Sequence, residues 1–374
     1  MKPALLSRLK RHVAPGIKEG AYNAFRSVTS RHRPGTLPNV FIFTTPRSGS
    51  TWLMELIWSQ PGFRCVNEPL DVRDPLVARS LGISSWEELV DLPPAALTKL
   101  HSYFQRSCEG RIHTAEPAPF RNRFYRYTTQ QTVFKVLHGG EDRLNWFRDS
   151  FNGRVVYFIR HPVAVSLSRK VFPRLQAFIN TSYADNFTDL QLREAQRIVT
   201  LGSHLERGVL DWCFQNALPL RQMTPDWALL TYEQLVLEPE VSVQYLADKL
   251  ELADTDKIYN RLGDPSGVLQ KSDAETQGLL REGATQKRSQ LVSKWRSKVS
   301  ASQEQRAMDI LALFDMSAYS FGDLLPAESL WLRDGYDPAQ QPSLPLPGNN
   351  LERRHLRPNY RPGPKTPVHV PEPG

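Results

Sequence analysis

Short apolar runs alternate along this chain with stretches whose apolar residues recur at helical spacing. Val40–Phe43, Val133–Val136 and Val155–Ile159 are rich in β-branched and aromatic side chains. Runs of that kind, bounded by turn residues, read as buried strands. The pattern predicts strand 39–45, helix 50–59, strand 63–67 and helical segments through 75–107. Strands at 131–137 and 154–159 follow, then helix 163–171, helices to about 218, strand 226–231 and further helices to 314. Such alternation implies an α/β, three-layer fold, with a central and mainly parallel sheet covered by helices on both faces. Ligands in such folds sit at the carboxyl ends of the strands, where Arg47 and Arg160 both fall.

The turn after the first strand is the most informative segment. TTPRSGSTWL, Thr44 to Leu53, joins a strand to a helix through a short Ser/Gly turn. That geometry aims backbone N–H groups and a helix dipole at an anion. Gly49 lets the backbone close tightly, Ser50 and Thr51 add hydroxyls, and Arg47 adds a fixed charge. It is a phosphate-binding loop, yet not that of a nucleotide triphosphatase. The Walker pattern places a Lys after the glycine, whereas here Arg47 precedes Gly49. Nor does a later strand clearly end in the Asp that a Mg-ATP site needs.

PRSGSTWL resembles the 5′-phosphosulfate loop of the sulfotransferases that use 3′-phosphoadenylyl sulfate (PAPS). The resemblance implies that Arg47, Ser48, Gly49, Ser50 and Thr51 grip the 5′-phosphate and sulfuryl oxygens, and that Trp52 stacks near the adenine. A second element is similar: VVYFIRHPVAVSLSRK carries Arg160 at a strand end and Ser168 eight residues on, expected on the first turns of the next helix. The family binds the 3′-phosphate with this pair, and Arg160 can offer a planar fork of donors. Ser166 is the alternative if the register shifts by two. Two looser segments fit. ALLTYEQL brings in Tyr232, with Gln234 in place of the usual acid. QKRSQLVSKWRS carries Lys287 and Arg288 before Trp295, in place of a basic loop that closes over the nucleotide, although the expected glycine is missing. A solvated helix face is the plain alternative for these two charges. The resemblance spans about Asn39 to Tyr319 and implies PAPS as co-substrate, PAP as product and no metal.

Sulfuryl transfer needs stabilisation of charge on the leaving phosphate oxygen, for which Arg47 is the candidate, and a base for the acceptor proton. Two residues compete for that role. Glu68, after the second strand, stands where carbohydrate and tyrosyl-protein sulfotransferases carry a catalytic Glu. His138, after the third, resembles the Lys-x-His of cytosolic sulfotransferases, but two residues separate it from Lys135 instead of one. Glu68 is favoured, and Lys135 touches sulfuryl oxygens or substrate in either scheme. The acceptor, a hydroxyl of a small molecule, glycan or lipid, is not readable. RNRFYRY, Arg121 to Tyr127, is either a substrate rim or an ordinary exposed strand, the second being the weightier reading.

Composition refines the picture at the ends. The chain has 374 residues, 40% of them apolar, enough for one sizeable core. Residues 1–34 hold eight Lys or Arg and one acid, a net +7 of the whole chain's +8. The rest is nearly neutral, which argues against a nucleic-acid partner. Leu5, Leu6, Leu9, Val13, Ile17 and Tyr22 approximate one helix face, interrupted near Pro15-Gly16. Such a basic amphipathic segment can lie on anionic lipid, pack on its own domain, or stay a frayed arm. Residues 35–337 form the expected catalytic domain, and 338–374, with ten of the 29 prolines, read as a disordered tail. No apolar run spans a bilayer, no signal peptide is evident, and the three cysteines form neither a disulfide framework nor a zinc pattern. A cytoplasmic location is expected, and oligomeric state is not legible. A small-molecule kinase on a related scaffold and an inactive nucleotide-binding scaffold are the competing readings.

Overall fold

A computed structural model of the chain describes residues 24–26, 28–117, 123–262, 285–332 and 337–340, with only the backbone described for 285–287 and 340. Two parallel sheets are present among the described residues. β1 (Arg31–His32) pairs with β4 (Thr128–Thr129). The main sheet contains β2 (Asn39–Thr44), β3 (Phe63–Asn67), β5 (Gln131–Val136), β6 (Gly153–Ile159) and β7 (Ala228–Thr231), in the order β3-β5-β2-β6-β7. All of its neighbours run parallel, as crossover connections through helices require. The expected α/β architecture is therefore the observed one.

The period of two along β2 explains why both faces are covered. Phe41 and Phe43 enter one core with Phe134, Val155 and Tyr157, while Val40 and Ile42 enter the other with Val133, Val156 and Phe158. Phe41 stacks on Phe134 at 4.7 Å between ring centroids, and Phe104, Phe147 and Phe151 close around it. Truncating such a ring to Ala costs about 3–5 kcal/mol, so Phe41 is a place where one change would break the sheet's support.

Five helices position the site. α1 (Ser50–Trp58) leaves β2 through the loop, and α2 (Pro162–Leu167) leaves β6 with Pro162 at its first turn. There a missing N–H costs nothing. α3 (His204–Arg221) starts at a capping box of Ser203 and Glu206, and α4 (Tyr232–Leu237) is capped by Thr231. α5 (Ala301–Leu313) packs beside α3.

Several expectations need correction. The helix expected at 163–171 stops at Leu167, because Ser168 and Arg169 donate back to Val165 and Ser166 in tight i−3 bonds. Strand 226–231 begins at Ala228, since Trp227 N–H closes a turn on Thr224. Residues 123–127 are turn and bend, not strand, and they lead into the amino end of β5. Arg121 and Asn122, the first two residues of RNRFYRY, lie outside the described residues. Of the basic segment 1–34, residues 24–34 without Ser27 are described, and they attach to the domain through β1 and Arg26. The segment 338–374 is described only to Gln340, where Ala339 is buried.

Candidate functional site

Four of the main strands deliver a sequence-predicted residue to one edge of the sheet. In spatial order these are Glu68 after β3, Lys135 in β5, the loop 45–51 after β2 and Arg160 after β6. Sheet order, not chain order, makes them neighbours.

The loop is built around Gly49, whose φ of 87° lies in the left-handed region. A Cβ there would stand 2.7 Å from a ring carbon of Tyr232, so both backbone and space require glycine. Arg47 also has positive φ, 75°, and its side chain is exposed. Glu68 and His138 share this conformation, at 59° and 67°. Backbone in that region is costly for residues other than glycine and concentrates at functional sites. Trp52 and Leu53 N–H donate to Gly49 O at 3.0 and 3.4 Å, so at the start of α1 it is the amides of Ser50 and Thr51 that have no intrahelical partner.

Lys135 is the link between loop and carboxylate. Its side chain is almost fully buried, and Nζ donates to Thr51 Oγ1 at 2.9 Å and to Glu68 Oε1 at 2.9 Å. The contact follows from register: Asn67 stands opposite Lys135, and Glu68 N–H donates to Lys135 O at 3.0 Å. Glu68 keeps a fifth of its side chain exposed, and its Oε2 has no partner among the described residues. A carboxylate oriented through one oxygen, with the other unpartnered among the described residues, is the result.

His138 lies under a different set of contacts. Its ring stacks on Trp86 at 4.6 Å, and the Arg73 guanidinium sits 5.1 Å from the Trp86 ring. Burial, followed by the charges of Arg174, Arg169, Arg73 and Lys135, holds its pKa well below the usual histidine range. Two of those cations are themselves buried in ion pairs, Arg169 with Asp211 and Arg174 with Glu141. His138 is thus a neutral ring in a positive field.

Arg160 is clamped on every side. Its carbonyl accepts from Trp212 Nε1 at 3.1 Å, its guanidinium lies 4.1 Å from the Tyr232 ring, and Nη1 donates to Arg47 O at 3.3 Å. The next amide, His161 N–H, donates to buried Glu233 at 3.0 Å, whose other oxygen accepts from Tyr319. Burial raises the Glu233 pKa above the ordinary carboxylate value. Ser168 is exposed just past the end of α2, at its C-cap, rather than on the first turns as expected. Ser166 is fully buried and donates to Pro162 O at 2.7 Å, so the alternative register has no accessible hydroxyl.

Some predicted residues take other places. Ser48 is buried and its hydroxyl is spent on Thr45, so it can offer an incoming anion only its amide. Trp52 and Tyr232 are buried in the second core cluster. Tyr232 is wedged between Gly49 and Arg160, where it shapes both. Gln234 is buried and exchanges hydrogen bonds with the Leu332 backbone, at 2.8 and 2.9 Å. An acid there would lack the donor. Arg288 sits on a helix, Thr285–Ser293, not on a loop, and no described contact joins it to Arg160; the Lys287 side chain lies outside the described residues. The described part of RNRFYRY is at the amino ends of the strands, so it forms no rim to this site. Sequence reasoning missed Thr45, Trp86, Trp212 and Glu233. Thr45, inside the TTPRSGSTWL segment, and Glu233, next to Tyr232, carried a signal.

A strand-to-helix turn built on Gly49 at the carboxyl edge of a parallel sheet, with Arg47, Arg160 and an oriented carboxylate at the same edge, marks a parallel α/β protein. A family model described as "Sulfotransferase domain" matches residues 37–317, and the chain belongs to that sulfotransferase family. No curated protein matches it. Among solved structures it is similar to the sulfotransferase domain from the curacin biosynthetic pathway, with 16% identity, 76% of this chain and 99% of that chain covered, and a TM-score of 0.40. The sulfotransferase domain from the Synechococcus PCC 7002 olefin synthase gives 18%, 78%, 97% and 0.41. A mouse sulfotransferase, SULT7A1, complexed with PAP gives 11%, 79%, 87% and 0.35. No residue assignment rests on these three likenesses.

Proposed function

We propose that this chain transfers a sulfuryl group from PAPS to a hydroxyl acceptor, with Glu68 as the base. The observation that carries the reading is the bridge Thr51–Lys135–Glu68, which ties the anion-binding loop to a carboxylate with one free oxygen. The residues present suit a bisphosphorylated nucleotide: exposed Arg47 and the amides of Ser50 and Thr51 at one position, and Arg160 at another, with Ser168 able to join once its hydroxyl turns away from Val165 O, to which it donates at 3.0 Å. The donor supplies an activated sulfuryl group and departs as PAP. Arg47 and the loop amides stabilise negative charge at the phosphate end. Lys135 neutralises charge between loop and acceptor while holding Glu68 in place. Glu68 Oε2 takes the acceptor's proton. His138, two residues past the end of β5 and held below its ordinary pKa, can orient the acceptor by hydrogen bonding.

Labelled-sulfate transfer to a mixed library of phenols, sugars and lipid alcohols tests the reading. Acceptor-dependent label transfer is expected, together with thermal stabilisation by PAP. Stabilisation by Mg-ATP but not PAP would favour the kinase reading instead.

A further inference from the structure

We propose that the amino-end face of the molecule, opposite the candidate site, docks on an anionic lipid surface. The β1–β4 pairing brings together two segments distant in the chain, 24–37 and 123–130, through Arg31↔Thr128 and His32↔Thr129. Neither segment contains an Asp or Glu. Between them they expose Arg31, Arg33, Arg123 and Arg126. A fifth arginine, Arg26, turns inward, where Glu116 pairs with it and is shared with Arg64 and His113. That carboxylate is buried and is paired with all three.

The same two segments also expose apolar side chains. Phe25 and Val28, three residues apart, are 49% and 74% exposed, and Tyr127 is 53% exposed. Tyr127 O accepts from Arg31 N–H, which fixes the aromatic beside the charged strand. Apolar side chains that penetrate the headgroup region, ringed by arginines that reach phosphates, are the features of an interfacial docking surface. A soluble polyanion would use the arginines but would gain nothing from Val28 and Phe25, so lipid is the occupant the face fits. Both segments run directly into the amino ends of β2 and β5. Glu68 and Arg160 lie beyond the other end of strands roughly 20 Å long. Docking would therefore leave the site facing water. The inference does not depend on the catalytic assignment.

Co-sedimentation of the full chain with vesicles of phosphatidylcholine, with and without 30% phosphatidylserine on a molar basis (about the level of an anionic leaflet), tests it. Partitioning onto the anionic vesicles, weakened by salt, is expected. Each arginine near such a surface contributes about fivefold in affinity, so Arg31→Ala/Arg33→Ala/Arg126→Ala should lower partitioning roughly a hundredfold. The corresponding triple Lys variant should retain it and controls for folding. Phe25→Ser/Val28→Ser, which keeps every charge, should also reduce partitioning. Equal binding to neutral vesicles, or undiminished binding of the triple Ala variant, would overturn the proposal. So would an arginine-dependent attraction that ignores the Phe25/Val28 change, which would mark a soluble polyanion as the occupant. A concentration-dependent dimer abolished by Phe25→Ser/Val28→Ser, without vesicle binding, would identify a second copy and equally overturn it.

Discussion

Glu68 has one oxygen committed to Lys135 and one without a partner among the described residues, and a Gln at this position would keep the first bond while losing the proposed proton acceptor. Glu68→Gln should cut turnover by roughly 10²–10⁴, the usual contribution of a general base, while PAP binding changes little. His138→Ala should cost less, because that ring is placed to orient, and its pKa is pushed down by burial and four cations. The depressed pKa has a second consequence. An imidazole base here would titrate below its ordinary range, so an acid limb in the pH–rate profile does not by itself distinguish it from a carboxylate. The two variants do. A fully active Glu68→Gln beside a dead His138→Ala would transfer the base to His138.

Arg160 and Gly49 act through the elements that hold them. If Arg160 binds the 3′-phosphate as proposed, Arg160→Ala should remove a charge-assisted contact worth about 1.5–3 kcal/mol and abolish most of the thermal stabilisation by PAP. Protection by adenosine 5′-phosphosulfate, lacking the 3′-phosphate, that matched PAP would refute the assignment of Arg160 and Ser168. Gly49→Ala meets two obstacles, a left-handed φ costing about 1–2 kcal/mol and the Tyr232 ring 2.7 Å from the new Cβ. It should lower both melting temperature and PAP affinity. If calorimetry found an unaltered protein, the loop would be less constrained than its geometry implies. Tyr232→Leu should weaken PAP binding in a similar way, since the ring touches Gly49 and Arg160 at once.

For the molecule as a whole, buried neutral histidines set the acid side of its stability. Burial first, and then nearby arginines, lower His32 to about 3 and His161 to about 3. His32 is held between Cys108 O and the Thr129 hydroxyl, each at 2.9 Å, and His161 is stacked on Trp295 at 4.2 Å. Between about pH 6.5 and their folded values, the unfolded chain binds protons that the folded chain refuses. Stability therefore rises with pH across that window and falls as pH drops through it. The urea midpoint should be lower at pH 5 than at pH 7. His161→Phe, which keeps the stack and removes the titration, should flatten this dependence, and an unchanged slope would exclude His161 as a contributor.

Local pattern alone was enough for β3, whose bounds at Phe63–Asn67 match the expectation, and for the loop, because alternation and glycine placement are properties of neighbours in the chain. The helix after β6 was legible in kind but not in length, since its end depends on i−3 bonds made by Ser168 and Arg169. Arg47, Glu68, Lys135 and Arg160 could be nominated from motif and strand end. Their arrangement could not. The Lys135–Glu68 contact joins residues 67 apart in sequence and exists because β3 and β5 pair in one register. A shift by one residue would turn the Lys135 side chain to the other face. The Trp86–His138 stack, the clamp on Arg160 and the arginine face across β1 and β4 arise in the same way. Side-chain periodicity is written in the sequence, whereas the pairing that sets one strand beside another is a choice made by the packed core.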